Sequence, residues 1–171
     1  MYGHSSGAGL VLHAAAHRLP FTKLALYEPP YTPDDQETSR KDAETIKTLL
    51  AEGRRSDAIA HILRGIGIPQ EMVDRMSRDE GVVAMAHTLA YDSEIMGDIS
   101  RGGAIPTDLA STVTVPALVL CGGASPAWMI DVGRQVADVL PNGRLGVLEG
   151  QEHSAAPEVL APVLVEFFSN R

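Results

Sequence analysis

The sequence has little cysteine and little positive charge. Its single cysteine, Cys121, cannot form an internal disulfide, and no basic segment followed by an apolar run opens the chain. We therefore expect a cytoplasmic protein. No apolar stretch approaches the roughly 20 residues that cross a bilayer. Lys and Arg number 14 against 22 Asp and Glu, a net charge of -8, which argues against nucleic acid or an anionic membrane as partner and favours a small molecule.

The pattern of apolar residues predicts an α/β core interrupted by a helical insertion. The chain has 171 residues, 44% of them apolar, which is enough for one core. Strand-like segments at residues 23–27, 115–121 and 143–148 alternate with helix-like ones at residues 8–18, 126–140 and 157–168. The continuous apolar run at 117–121 is typical of a parallel strand covered on both faces. We predict an α/β core from residues 1–32 and 106–171, and a lid from residues 33–105.

Residues 33–101 are charged and favour helices. Caps, glycines and a proline at a first helical position predict helix limits there. We expect three or four helices, at about residues 34–53, 56–65 and 69–76, with 79–96 as the segment for a fourth. A loop that contains Gly97, Gly102 and Gly103 follows.

A Gly-x-Ser-x-Gly motif at residues 3–7 contains a candidate nucleophile, Ser5. Such a motif makes a tight bend between a strand and a helix, where small residues relieve crowding and the serine hydroxyl is exposed. The backbone N–H of Ser6 would then stabilise an oxyanion. We expect His4 to be a turn residue that lines the pocket, because adjacent side chains at such a bend diverge. The alternative is a glycine-rich helix cap without chemistry.

An activated serine needs an imidazole within hydrogen-bond reach, and His153 is the candidate. It lies in a loop after the last predicted strand, from which its ring could reach Ser5. The alternative is a solvated loop histidine. The remaining histidines of the predicted helices have no partner at metal-ligand spacing, and we expect surface or core positions for them: His13, His17, His61 and His87.

Three segments together resemble the α/β-hydrolase superfamily. They are Tyr-Gly-His-Ser-Ser-Gly-Ala at residues 2–8, Val-Pro-Ala-Leu-Val-Leu-Cys-Gly-Gly-Ala-Ser-Pro at residues 115–126, and Gly-Gln-Glu-His at residues 150–153. The resemblance implies a serine, acid, histidine order along the chain. It also implies a partial fold in which the family's N-terminal strands are absent. We therefore expect the chain to form an oligomer or to pair with a complementing N-terminal segment.

The resemblance leaves the acid in question, because Ser125 stands where the family's usual aspartate would. A neutral serine cannot stabilise an imidazolium, although Ser125 followed by Pro126 fits a helix start. Some relatives carry the acid after the preceding core strand, where this chain has Glu28. We therefore predict Glu28 as the acid rather than an exposed loop carboxylate. Weaker candidates are Asp131, Asp92 and Glu94.

These residues predict hydrolysis of a carboxylic ester or similar small acyl substrate through an acyl-serine, without metal or organic cofactor. Trp128 and Met129 are candidates for the lining of an apolar pocket. One alternative is a catalytically impaired domain that binds a small ligand or a partner chain. Another keeps the enzyme class but changes the reaction, for example to perhydrolysis or carbon–carbon bond hydrolysis.

Overall fold

The computed structural model describes residues 1–170 of the chain. Contacts divide it into two units. One comprises Met1–Pro33 and the segment from Ile105 onward, and the other is Asp34–Ala104.

The first unit is built on four parallel strands in the order β1-β2-β3-β4. All six residues of β3 and all four of β2 are buried, as expected for parallel strands covered on both faces. The sheet confirms the predicted fold class. The strands are β1 (Tyr2–His4), β2 (Leu24–Tyr27), β3 (Ala117–Gly122) and β4 (Gly143–Leu148).

Helices cover both faces of this sheet. Helix α1 (Ser6–Ala16) packs on β1 and β2, and helix α9 (Ala127–Val139) packs on β3 and β4. Alternate residues of the strands, such as Tyr27 and Leu120, form a separate cluster with Phe167 of helix α10 (Pro157–Ser169). Each strand therefore points its residues alternately to two helix layers. The carboxyl ends of all four strands lie at one edge of the sheet.

The second unit is helical and occurs in the chain between β2 and β3. Its core is an apolar cluster of Ile59, Ala60, Leu63, Val73 and Ala86. Its helices are α2 (Gln36–Ala51), α3 (Arg55–Gly65), α4 (Gln70–Met76), α5 (Glu80–Ala84), α6 (Leu89–Met96) and α7 (Asp98–Arg101).

Two sequence predictions about these helices were wrong. The helix predicted at 79–96 is broken into α5, a 3₁₀ turn at Ala86–Thr88 and α6. The segment from Gly97 to Gly102 was expected to be a loop, but it contains the short helix α7; the two glycines themselves lie in turns, with φ of 72° and 62°. Glycine takes this left-handed conformation without a Cβ clash, so two glycines can bound a single helical turn. A further short helix, α8 (Thr107–Ala110), precedes β3.

Within residues 1–170, no helix combines the length and the apolar character that crossing a membrane requires.

Candidate active site

The chain makes a strained bend at Ser5. Strand β1 ends at His4, α1 begins at Ser6, and Ser5 between them has φ 55° and ψ -130°. A non-glycine residue in such a conformation costs about 1–3 kcal/mol and persists only where its surroundings impose it. Here the Ser5 N–H donates to the Tyr27 carbonyl at 2.9 Å, which ties the bend to the end of β2.

The close approach that this bend requires is at Gly3. A Cβ on Gly3 would lie 2.3 Å from the Gly7 carbonyl oxygen and 2.8 Å from the Ala8 Cα, so no side chain fits between β1 and α1. A Cβ on Gly7 would meet no atom within 4 Å. The two glycines of the motif are therefore not equivalent: only the first is required for space.

Glu28 follows β2 directly and is fully buried, with a φ of 44°. Both of its carboxylate oxygens have partners. Oε1 accepts the Gly122 N–H at 2.7 Å, and Oε2 lies 2.7 Å from His153 Nδ1. Its own N–H donates to the Leu120 carbonyl at 2.9 Å. A buried carboxylate with both oxygens paired is the arrangement that a low-dielectric site tolerates.

This pairing has a chemical consequence for His153. A carboxylate only accepts hydrogen bonds, so the bond places a proton on Nδ1. In the neutral ring, Nε2 then carries a lone pair and can accept a proton. The His153 side chain is 37% exposed, so the ring borders solvent while its partner does not.

His4 and Tyr27 contact the backbone of the loop that carries His153. The His4 Nε2 lies 2.7 Å from the His153 carbonyl oxygen, and the two rings are 4.7 Å apart between centroids. The Tyr27 hydroxyl donates to the Glu152 carbonyl at 2.6 Å. Burial and the neighbouring Glu28 charge raise the pKa of the Tyr27 phenol, so it remains a donor. The sequence indicated no role for Tyr27, because its hydroxyl meets a loop 125 residues away.

Ser5 and His153 both lie at the carboxyl edge of the sheet. The Ser5 N–H is bonded to Tyr27 at the end of β2, and His153 is bonded to His4 and Glu28. Within residues 1–170, no hydrogen bond joins the Ser5 hydroxyl directly to His153. The structure brings together His4, Glu28 and His153, and it places Ser5 next to the first of them. Ser6 is the first residue of α1, so its N–H has no carbonyl partner within that helix.

Ser125 differs from the expectation that it caps a helix. Helix α9 has Pro126 as its N-cap residue, and the Ser125 hydroxyl makes no capping bond. Its N–H donates to the Gly122 carbonyl at 3.2 Å, while its buried hydroxyl has no hydrogen-bond partner among residues 1–170.

The other candidates named from the sequence lie on the helices α6 and α9. Trp128, 49% exposed, and Met129 lie in the first turn of α9, and in the described part of the chain neither bonds to Ser5 or His153. Asp131 pairs instead with Arg134 at 2.6 Å. Asp92 and Glu94 lie in α6 of the helical unit.

The lone thiol is unsuited to be a nucleophile. Burial raises the pKa of Cys121 to about 12, so almost no thiolate forms at neutral pH. No cluster of three or more His, Cys, Asp or Glu side chains arranged to hold a metal ion occurs in the described residues.

No protein-family model and no curated protein matches the chain. Among solved structures, an α/β hydrolase from Sphaerobacter thermophilus is 47% identical, with a TM-score of 0.82 over 98% of this chain. MenH from S. aureus (15% identical, TM-score 0.65) and an enol-lactonase from Burkholderia xenovorans (22%, 0.57) share the fold over 98% and 99% of this chain.

The chain spans 66% of the length of the Sphaerobacter thermophilus protein and 65% of each of the other two. The 47% identity to the first of these proteins indicates common membership of one superfamily. The parallel sheet and the strained bend at Ser5 are consistent with it. This chain therefore belongs to the α/β-hydrolase superfamily.

Proposed function

We propose that this protein is a serine hydrolase that cleaves a carboxylic ester or a similar small acyl substrate. The observation that carries the proposal is the buried Glu28–His153 pair at the sheet edge where Ser5 makes its strained bend. Glu28 directs the protonated Nδ1 of His153 inward, which leaves Nε2 as the base. The membership of a hydrolase superfamily supports the same reaction class.

In the proposed reaction, the Ser5 hydroxyl attacks the acyl carbon while His153 Nε2 takes its proton. The oxyanion that forms accepts a hydrogen bond from the Ser6 N–H. His153 then gives the proton to the leaving alcohol, and an acyl-serine remains. Water attacks this ester, His153 takes the proton from the water, and the proton returns to Ser5 as the acid product leaves.

The absence of a direct bond between Ser5 and His153 is compatible with this role. Catalytic hydrogen bonds are often long or poorly aligned without substrate and tighten in the complex. Ser125 takes no part in the proposal, because Glu28 supplies the carboxylate.

A fluorophosphonate probe tests the proposal. We expect it to label the protein at Ser5, as located by mass spectrometry of the modified peptide, and we expect Ser5→Ala to abolish labelling. Ser111→Ala is the matched control, because Ser111 is exposed and its hydroxyl only caps the local Asp108 carbonyl. Hydrolysis of nitrophenyl esters of graded chain length would then define the acyl group. A folded protein that neither reacts at Ser5 nor turns over any ester would refute the proposal.

We also propose that the free edge of β1 pairs with a further polypeptide segment. Strand β1 lies at the end of the sheet, and two large apolar residues of this part of the chain are exposed, Met1 directly before β1 and Leu10 in α1. An unpaired edge beside apolar surface favours association. One third of the Sphaerobacter thermophilus protein has no counterpart in this chain, which is the kind of segment that could cover this edge. Light scattering should show association with such a segment or with a second copy, and a stable, soluble monomer would contradict it.

The unpaired and buried Cys121 fits the cytoplasmic location that we propose.

A further inference from the structure

The loop that carries His153 is hydrogen-bonded to residues at the carboxyl ends of three neighbouring strands. Three successive carbonyls each accept one hydrogen bond. Gln151 accepts from the Ala124 N–H after β3 at 2.8 Å, Glu152 accepts from the Tyr27 hydroxyl at the end of β2, and His153 accepts from the His4 ring at the end of β1. The backbone around the base is therefore held by the same sheet edge that holds the nucleophile bend.

Two of these three donors are side chains. A backbone donor such as the Ala124 N–H is present whatever the sequence, whereas the bonds to residues 152 and 153 exist only because positions 27 and 4 are tyrosine and histidine. Fully buried Tyr27 immediately precedes Glu28, and His4 immediately precedes Ser5. Each of these two side-chain donors therefore directly precedes, in the sequence, a residue of the proposed mechanism.

We propose that His4 and Tyr27 are positioning residues that set the distance between His153 and Ser5. This inference rests on the proposed hydrolase function. Glu28 fixes the tautomer of the His153 ring, but the ring is carried by a loop whose backbone could shift. Since a base must come within about 2.6–3.2 Å of the proton it takes, and a displacement of about 1 Å can cost 100-fold in rate, the two backbone anchors contribute to catalysis.

The chemistry of the His4 bond defines a test that separates positioning from simple stability. A carbonyl oxygen only accepts, so His4 must carry a proton on Nε2. Glutamine can present an amide N–H at a similar reach, whereas phenylalanine keeps a ring but has no donor. His4→Phe should therefore lose the anchor and His4→Gln should keep it. Tyr27→Phe removes only the hydroxyl and keeps the buried ring.

We expect His4→Phe and Tyr27→Phe each to slow fluorophosphonate labelling and kcat for a nitrophenyl ester by about 10- to 100-fold, with KM nearly unchanged. His4→Gln should recover most of the rate. Hydrogen–deuterium exchange of the peptide covering residues 149–156 should be faster in the two Phe variants than in the wild type, and His4→Gln should restore it. His17→Phe is the matched control, because His17 is exposed at the end of α1.

Wild-type labelling and wild-type exchange in His4→Phe would overturn the inference. So would a His4→Gln variant as slow as His4→Phe, or a loss confined to KM. Failure of the hydrolase proposal is seen separately, as a wild-type protein that the probe does not label at Ser5. In that case the exchange data still decide whether His4 and Tyr27 hold the loop, and the catalytic part of the inference falls with the parent proposal.

Discussion

Replacing Glu28 with glutamine should inactivate the protein while leaving its fold intact. The carboxylate faces two donors, the Gly122 N–H and the protonated Nδ1 of His153, each at 2.7 Å. A glutamine amide has one oxygen and one NH2 group, so it can accept from only one of them.

The cost of each orientation decides which one forms. If the amide NH2 faced Gly122, two donors would be buried against each other, at a cost of about 1–3 kcal/mol. The opposite orientation keeps the Gly122 bond and turns the NH2 group towards His153. Nδ1 must then accept, so the ring proton moves to Nε2, where the base is needed. The variant should therefore hold the wrong tautomer.

The expected loss is large. The comparable Asp→Asn change in a serine protease lowers kcat about 10⁴-fold. We expect Glu28→Gln to lower the rate of fluorophosphonate labelling on the order of 10³- to 10⁴-fold, equivalent to roughly 4–5.5 kcal/mol. Melting temperature and circular dichroism should stay close to those of the wild type.

Glu152→Gln is the matched control, because it is the same change on an exposed residue next to His153. Its labelling rate should be that of the wild type. A labelling rate of Glu28→Gln within threefold of the wild-type rate would show that Glu28 has no part in the mechanism and does not set the His153 tautomer.

Three further predictions concern stability and reactivity. Gly3→Ala should lower the free energy of unfolding by about 1–3 kcal/mol in urea titrations, because its Cβ would overlap α1. Gly7→Ala should be tolerated, and equal losses in the two variants would contradict the contact geometry. Burial raises the pKa of Asp98 from its ordinary 3.8 to about 6, so the folded state binds this proton more tightly than the unfolded state and loses stability as the pH rises through 6. The difference between the two pKa values corresponds to roughly 3 kcal/mol, which solvent screening of this partly exposed group reduces to about 1 kcal/mol. Asp98→Asn should therefore stabilise the protein by about 1 kcal/mol at pH 8 and by little near pH 4. An equal gain at both pH values would refute this prediction. Cys121 should react with a thiol reagent only after unfolding, and rapid labelling of the native protein would contradict its burial and raised pKa.

Much of the fold could be predicted from local sequence, because local chemistry controls it. The continuous apolar run at 117–121 predicts a buried parallel strand, and β3 occupies Ala117–Gly122. Where packing within the helical unit competes with local propensity, the prediction failed. Residues 79–96 were expected to form one helix, but a 3₁₀ turn at Ala86–Thr88 interrupts it, and Ala86 is buried in the core of the helical unit. Packing of that residue overrode the helix propensity of its neighbours.

The bend at Ser5 and the order of Ser5, Glu28 and His153 along the chain could be read from the amino-acid sequence. The bend depends on residues within five positions of one another, so its motif is readable. The hydrogen-bond partners of Glu28 could not be read from the sequence and are seen only in the folded chain. They are 94 and 125 residues away, and they meet Glu28 because parallel strands bring their carboxyl ends to one edge of the sheet. The anchors from His4 and Tyr27 have the same origin: a carbonyl offers no side-chain signal in the sequence, so only the folded chain places a donor beside it.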